Sequence, residues 1–200
     1  MNAEEYFYNG LKLEKDYKYS EAIDCYKKSI EIEPKENTYL RLADAYRIIK
    51  DYNSALNNFR EVLKNNNSIY ATIGIGCIYL DNKDYKNAIV YFDKVIYLVK
   101  ELNIKDEHNN LQNAYYNKGL CYYFLEEYDK SLEYFDKAID LKDDDYNAFN
   151  DKGNVYYKQG KLNEAIDCYK KAININSKFS DAYNNLGVIY REKKRLCFIK

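Results

Sequence analysis

Few residues in this 200-residue sequence have the types and spacing that chemistry requires. His108 is the one histidine, and it lies in the polar run Lys105-Asp106-Glu107-His108-Asn109-Asn110. A metal centre there would need further ligands at helical spacing, and none is present. It reads as a solvent-exposed loop residue. Asp143-Asp144-Asp145 has the acidic start of a calcium loop but lacks the Gly and the closing Glu. One of these carboxylates is better suited to cap the helix that follows. The cysteines Cys25, Cys77, Cys121, Cys168 and Cys197 are odd in number, and no close pair has metal-ligand spacing. Cys25 and Cys168 occupy the same motif position and read as small buried apolar residues in a reducing compartment. No Gly-rich phosphate loop, nucleophile elbow or zinc-hydrolase helix motif occurs. Carboxylates are plentiful, but no pattern singles out a catalytic pair. The expectation is a protein that is not an enzyme and has no metal and no cofactor.

Composition narrows the class further. The hydrophobic fraction is 46% and the charged fraction 32%, which predicts folding rather than disorder. One Pro and seven Gly are too few for a loop-rich or all-β protein. The net charge is −1, from 31 basic and 32 acidic residues that are interleaved. That balance argues against nucleic-acid and membrane-surface partners, each of which selects a basic face. The acidic start Met1-Asn2-Ala3-Glu4-Glu5 lacks the apolar run of a signal peptide. No window approaches the roughly 18 apolar residues of a membrane span. The expected location is cytoplasmic. The 25 Tyr and absent Trp fit an AT-rich coding genome, but that does not explain where the Tyr residues sit.

Their placement follows a repeat. Phe149, Gly153, Tyr156, Ala165, Tyr169 and Ala172 recur 34 residues earlier as Tyr115, Gly119, Tyr122, Ser131, Phe135 and Ala138. They recur 34 residues later as Tyr183, Gly187 and Tyr190. In each unit an apolar stripe at i, i+3, i+4, i+7 is broken near a Lys, Gly or Glu and then resumes. This is the mark of two amphipathic helices joined by a short turn. Gly153 and Ala165 are small because the two helix axes approach closely there. The pattern resembles the tetratricopeptide repeat (TPR). The resemblance implies an all-α, right-handed superhelical solenoid of antiparallel helix pairs.

Aligned on this motif, residues 1–200 read as a single TPR solenoid domain of five repeats plus a partial sixth. The repeats run about 3–35, 36–68, 69–111, 112–145 and 146–179, with the partial one at 180–200. The spacing from Gly76 to Gly119 is 43 residues, not 34. The nine extra residues lie around Asn103–Leu111. One reading is a lengthened helical pair with a loop near Lys105–Asn110 and with Leu102 and Leu111 at its tip. The other is an unstructured surface insert. At the C-terminus, a helix from about Asp181 to Lys194 is followed by Leu196, Cys197, Phe198 and Ile199, four consecutive apolar residues. Fold-back of this tail onto the last helix pair is preferred, because it is a small surface for stable association. A monomer is therefore expected, with self-association through the C-terminal end as the alternative.

The resemblance also assigns a binding face, because in that family the first helix of each repeat lines the concave groove. Its exposed positions fall here on Phe7, Tyr8, Leu11, Leu40, Arg41, Arg47, Ile48, Ile73 and Cys77 in the N-terminal half. In the C-terminal half they fall on Tyr116, Asn117, Tyr123, Phe124, Asn150, Asp151, Asn154, Tyr157, Lys158, Asn184, Asn185 and Arg191. An Asn carboxamide presents a donor and an acceptor, so a row of them can pair with a peptide backbone without reading its sequence. Tyr adds apolar area and a hydroxyl at low entropic cost. The other reading is a solvated helix face inflated by genome bias. The clamp by which co-chaperone members hold acidic chaperone tails uses Lys and Asn on its first repeat. Here Phe7 and Leu11, or Tyr116 and Leu120, stand there, so that function is not expected. The resulting expectation is a non-catalytic protein–protein interaction scaffold for an extended peptide. The alternatives are a recruiting or regulatory module of a larger enzyme or complex, such as the Asn-ladder repeats of a glycosyltransferase, and a self-associating structural repeat protein.

Overall fold

A computed structural model describes residues 1–64, 67–100 and 109–198, with side chains through Lys194. Among the described residues there are eleven α-helices and no strand. They are α1 (Ala3–Lys15), α2 (Tyr19–Ile32), α3 (Glu36–Ile48), α4 (Tyr52–Leu63), α5 (Ile69–Asp81), α6 (Tyr85–Lys100), α7 (Asn110–Phe124), α8 (Tyr128–Leu141), α9 (Tyr146–Lys158), α10 (Leu162–Ile175) and α11 (Ser180–Phe198). The chain forms two compact units, Met1–Ile104 and Lys105–Lys200. Their division falls within the long Gly76-to-Gly119 spacing. The first unit holds the pairs α1/α2, α3/α4 and α5/α6. The second holds α7/α8 and α9/α10, with α11 packed on α10 and touching α9.

Local chemistry sets the helix ends. Asn2 and Glu5 form a reciprocal capping box at the start of α1, with both bonds at 2.9 Å. Ser68 caps α5 through the Ala71 N–H. Of the three consecutive aspartates, Asp145 is the cap: its carboxylate accepts from Asn147 N and Ala148 N at the start of α9. Each first helix then ends on a left-handed residue. These are Tyr17, Lys50, Lys83, Glu126 and Gly160, with φ between 60° and 73°. The next amide reaches back to the helix, as in Asp51 N to Tyr46 O and Lys161 N to Tyr156 O, both 2.9 Å. Only Gly160 meets that backbone without a Cβ penalty.

One contact closes each pair. Gly10, Gly76, Gly119 and Gly153 face the rings of Tyr26, Phe92, Phe135 and Tyr169, each 16 residues later. A methyl added at Gly153 would lie 2.6 Å from the Tyr169 ring. Ala43 and Phe59 share the equivalent place in the first unit's core. Two buried serine hydroxyls in these seams are paired: Ser131 Oγ donates to Gly119 O and Ser29 Oγ to Ala3 O, both at 2.8 Å.

Several expectations meet the structure here. The all-α fold of helix pairs is observed. Beside the long spacing, α6 has 16 residues and α7 has 15, against 14 in α8 and 13 in α9. Val95 and Leu98 are buried, so the α6 stripe does run on, and Leu111 is half-buried. Leu102 and the segment from Lys105 through His108 lie outside the described residues. Cys121 and Cys168 are buried, whereas Cys25 and Cys77 are only half-buried. The C-terminal expectation needs correction, because α11 does not stop near Lys194 and turn back. It runs as one helix through Phe198. Arg191-Glu192-Lys193-Lys194-Arg195 is made of strong helix formers, with no Gly or Pro to end it.

Candidate functional site

In the second unit, α9 touches both α7 and α11, so the first helices of successive pairs lie side by side. The 34-residue period brings equivalent positions to one face. Asp151 on α9 is the hub. Its Oδ2 accepts a 2.6 Å bond from the Tyr116 hydroxyl on α7. Its Oδ1 accepts from Asn150 Nδ2 and Asn154 Nδ2, both at 3.1 Å. Asn185 Nδ2 on α11 donates to Asn150 Oδ1 at 3.0 Å and to Asn154 Oδ1 at 3.1 Å. The Tyr169 hydroxyl adds a 2.8 Å bond to Asn154 Oδ1. One turn further along, the Tyr157 hydroxyl donates to Glu192 Oε1 at 2.6 Å.

The sequence-assigned residues are therefore not equivalent. Tyr116, Asn150, Asp151, Asn154 and Asn185 form one bonded network. Tyr157 lies beside it, and Lys158, Asn184 and Arg191 are exposed. Tyr123 is half-buried, with its ring 6.3 Å from that of Tyr128. Asn117 and Asn150 were expected to be exposed and are not: they are buried, at 9% and 6% exposure. The Asn117 amide donates to Asn113 on its own helix, through both the Asn113 carbonyl and its side-chain oxygen. The row is thus not a set of free carboxamides. Asn113, Tyr169 and Glu192 were missed as partners, because motif position alone does not reveal which way a side chain bonds.

Burial dominates the electrostatics of this network. It pushes the Asp151 carboxyl above its ordinary range, while the Tyr116, Asn150 and Asn154 hydrogen bonds pull it back. Burial, then the Asp151 charge, raises Tyr116. Among the described residues, these bonds leave one Asn154 N–H and the Asn185 Oδ1 lone pairs uncommitted. That pair is one donor and one acceptor, already held in place.

The first unit is built differently. Arg41 Nη1 is 4.0 Å from Glu14 Oε2, Arg47 Nη1 donates to Asp81 Oδ2 at 2.9 Å, and the Tyr70 hydroxyl donates to Asp44 Oδ2 at 2.5 Å. Glu14, Arg41, Asp44, Arg47, Ile48 and Tyr70 line a cavity of about 290 Å³. Burial raises the Glu14 and Asp44 carboxyls. Arg41 was assigned from sequence, whereas Glu14, Asp44 and Tyr70 were not. Phe7 is half-buried against the Tyr26 ring at 5.9 Å. It lines a second cavity of about 520 Å³ with Tyr8 and Lys35. Burial holds the Cys77 and Cys168 thiols up at about 11, so neither is a ready nucleophile. Among the described residues no group of His, Cys, Asp and Glu could hold a metal ion. No helix among them is long and apolar enough to cross a membrane.

Three family models match the chain. One, described as TPR repeat, covers 153–194; two described as tetratricopeptide repeat cover 68–144, and 18–36 with 37–69. A TPR repeat-containing protein of Methanocaldococcus jannaschii is 30% identical over a match covering 62% of this chain. The matched part spans 24% of that longer protein. Among solved structures, MamA from residue 41 to its end, from Desulfovibrio magneticus, superposes with a TM-score of 0.72 at 22% identity, covering 88% of this chain and 96% of that one. A thermophilic TPR protein of Thermus thermophilus gives 0.71 at 17% identity, covering 94% and 98%. YrrB, a TPR protein with an unusual peptide-binding site, gives 0.64 at 19% identity, covering 90% and 89%. At these identities the likeness is one of fold.

Proposed function

Because the chain belongs to the tetratricopeptide repeat family, we propose that it is a non-catalytic, cytoplasmic protein-interaction scaffold. Its partner is an extended peptide segment, laid along the α7–α9–α11 face. The observation that carries this reading is the Asp151–Asn154–Asn185 network. A solvated Asn must lose rotamer freedom when it binds, whereas these carboxamides are already fixed by neighbours. The uncommitted Asn154 N–H and Asn185 oxygen match the carbonyl and amide of one extended residue. Tyr157, Lys158 and Arg191 flank them and supply contact area and charge. The peptide-binding site of YrrB, on the same fold, supports the reading.

The test is binding of a fluorescent peptide panel to wild type, Asn185→Ala and Asn174→Ala, the last an exposed residue on α10. Asn185→Ala should weaken every captured peptide about tenfold or more, and Asn174→Ala should change nothing. Equal loss in both variants, or none in either, would remove the network from the binding face. A second reading is that the chain acts as a recruiting module of a larger assembly. It is favoured by the match to only 24% of the longer Methanocaldococcus jannaschii protein.

A further inference from the structure

The polar cavity of the first unit carries a negative charge that its own cations do not answer. Glu14 and Asp44 line it together with Arg41 and Arg47. Arg47 is already committed, since its Nη1 donates to Asp81 Oδ2 at 2.9 Å. Among the described residues lining the cavity, Arg41 is then the one cation left for two carboxylates. It answers them poorly. Its Nη1 stands 4.0 Å from Glu14 Oε2, and its side chain is 50% exposed against 16% for Glu14. The remaining neighbours are neutral: the Tyr26 hydroxyl lies beside Glu14, and the Tyr70 hydroxyl donates to Asp44 Oδ2. Among the described residues nothing bonds to Asp44 Oδ1. Burial raises both carboxyls, and the Asp44 charge adds to the rise at Glu14.

The shape of the cavity narrows what could supply the missing cation. Ile48 and Tyr70 are 49% and 48% exposed at its rim, whereas Glu14 and Asp44 are half-buried. An occupant with an aliphatic stem and a charged head meets both surfaces, as long basic side chains do. A lysine ammonium concentrates its charge at one point and brings three donors, so it can serve Glu14 and Asp44 together. A bare metal ion does not fit, because among the described residues no group of His, Cys, Asp and Glu could hold one. Repeat phase indicates the source of the lysine. Asp44 follows Ala43 as Asn154 follows Gly153, and Arg47 and Tyr157 stand four residues after the same two. The cavity thus occupies the first-helix positions that in the second unit carry the face assigned to an extended peptide.

We propose that the Glu14–Asp44 cavity takes the side chain of a lysine carried by a polypeptide partner, with the ammonium between the two carboxylates and the stem against Ile48 and Tyr70. The site rests on the reading that first helices bind a polypeptide, and it stands without the Asp151–Asn185 network.

The test is a nuclear magnetic resonance titration of the isotope-labelled full chain with the blocked tripeptide Gly-Lys-Gly. Its norleucine and glutamate counterparts and butylammonium chloride serve as comparison probes. The lysine peptide should shift the Asp44 and Tyr70 amide signals saturably, and bind about tenfold or more tighter than either counterpart. Asp44→Asn should weaken it about tenfold or more. Arg41→Gln removes the competing cation and should tighten it about two- to fivefold, an effect that a damaged fold would not produce. Asn185→Ala should leave it unchanged, so this site and the network are read separately. Equal binding of the norleucine or glutamate peptide, or binding that survives Asp44→Asn, would overturn the proposal. So would the absence of any shift at about 10 mM lysine peptide. Butylammonium binding without lysine-peptide binding would overturn it in favour of a free small amine.

Discussion

The Tyr116 hydroxyl on α7 donates to the Asp151 carboxylate on α9 across 35 residues of sequence and 2.6 Å of space. The same step joins Asn150 to Asn185 and Tyr157 to Glu192, and a step of 34 joins Arg47 to Asp81. The repeat period is thus expressed as cross-repeat hydrogen bonds between first helices, as well as in the packing of the core. Among the described residues, no cation bonds to Asp151. Three neutral donors hold it. Tyr116→Phe should therefore cost about 1.5–3 kcal/mol, the range for a hydrogen bond to a charged group. A Tyr116→Phe/Asp151→Asn double-mutant cycle in urea should show coupling, and strict additivity would refute the bond.

Protonation of Asp151 should leave a signature with a definite sign. Burial holds its folded carboxyl above the ordinary range, so the folded state keeps the proton longer than the unfolded chain. Stability is then highest below the unfolded value near pH 4 and falls as pH rises from there through the folded value. Asp151→Asn removes this contribution. The variant should gain on wild type between about pH 4 and pH 7. Parallel melting-temperature profiles for the two proteins would contradict the assignment.

The asparagines of the network should matter for stability as well as for binding. The sequence places Asn117, Asn150, Asn154 and Asn185 at exposed positions, where replacement usually changes stability by no more than about 0.5 kcal/mol. The burial and bonding of Asn150 reverse that expectation. Asn150→Ala should cost about 1–3 kcal/mol by leaving donors unpaired, measurable as a lower urea midpoint. Exposed Asn184→Ala should stay within about 0.5 kcal/mol of wild type.

Two glycines of the same motif should respond with opposite signs. Gly153→Leu drives a side chain into the Tyr169 ring and should cost roughly 1–3 kcal/mol. Gly187→Ala meets nothing and should gain about 0.5–1 kcal/mol from helix propensity alone. Thermal denaturation of both variants separates them, and equal effects would mean the two positions are packed alike.

The left-handed turn residues offer a third contrast. Lys50→Gly and Glu126→Gly relieve a Cβ penalty at φ 64° and 61° and should each stabilise by about 1 kcal/mol. Gly160→Lys should lose a similar amount. A destabilised Lys50→Gly in chemical denaturation would show that the left-handed backbone there carries no strain.

The sequence by itself determined the helix pairs, their turns and the partners across each pair. The Gly153–Tyr169 contact was legible because a small residue and a ring recur at a fixed spacing, and both helices lie close in sequence. It also placed Asn150, Asn154 and Asn185 on one face, since a 34-residue period returns each repeat to the same phase. Only the tertiary structure decided that these carboxamides bond to one another and to Asp151, that Asn117 turns back to Asn113, and that α11 continues through Phe198. It alone showed Gly187 to be exposed where Gly153 is buried. The physical reason is that periodicity fixes which direction a side chain leaves its helix. What that side chain meets depends on neighbours a repeat away, and these are set by packing between helix pairs rather than within them.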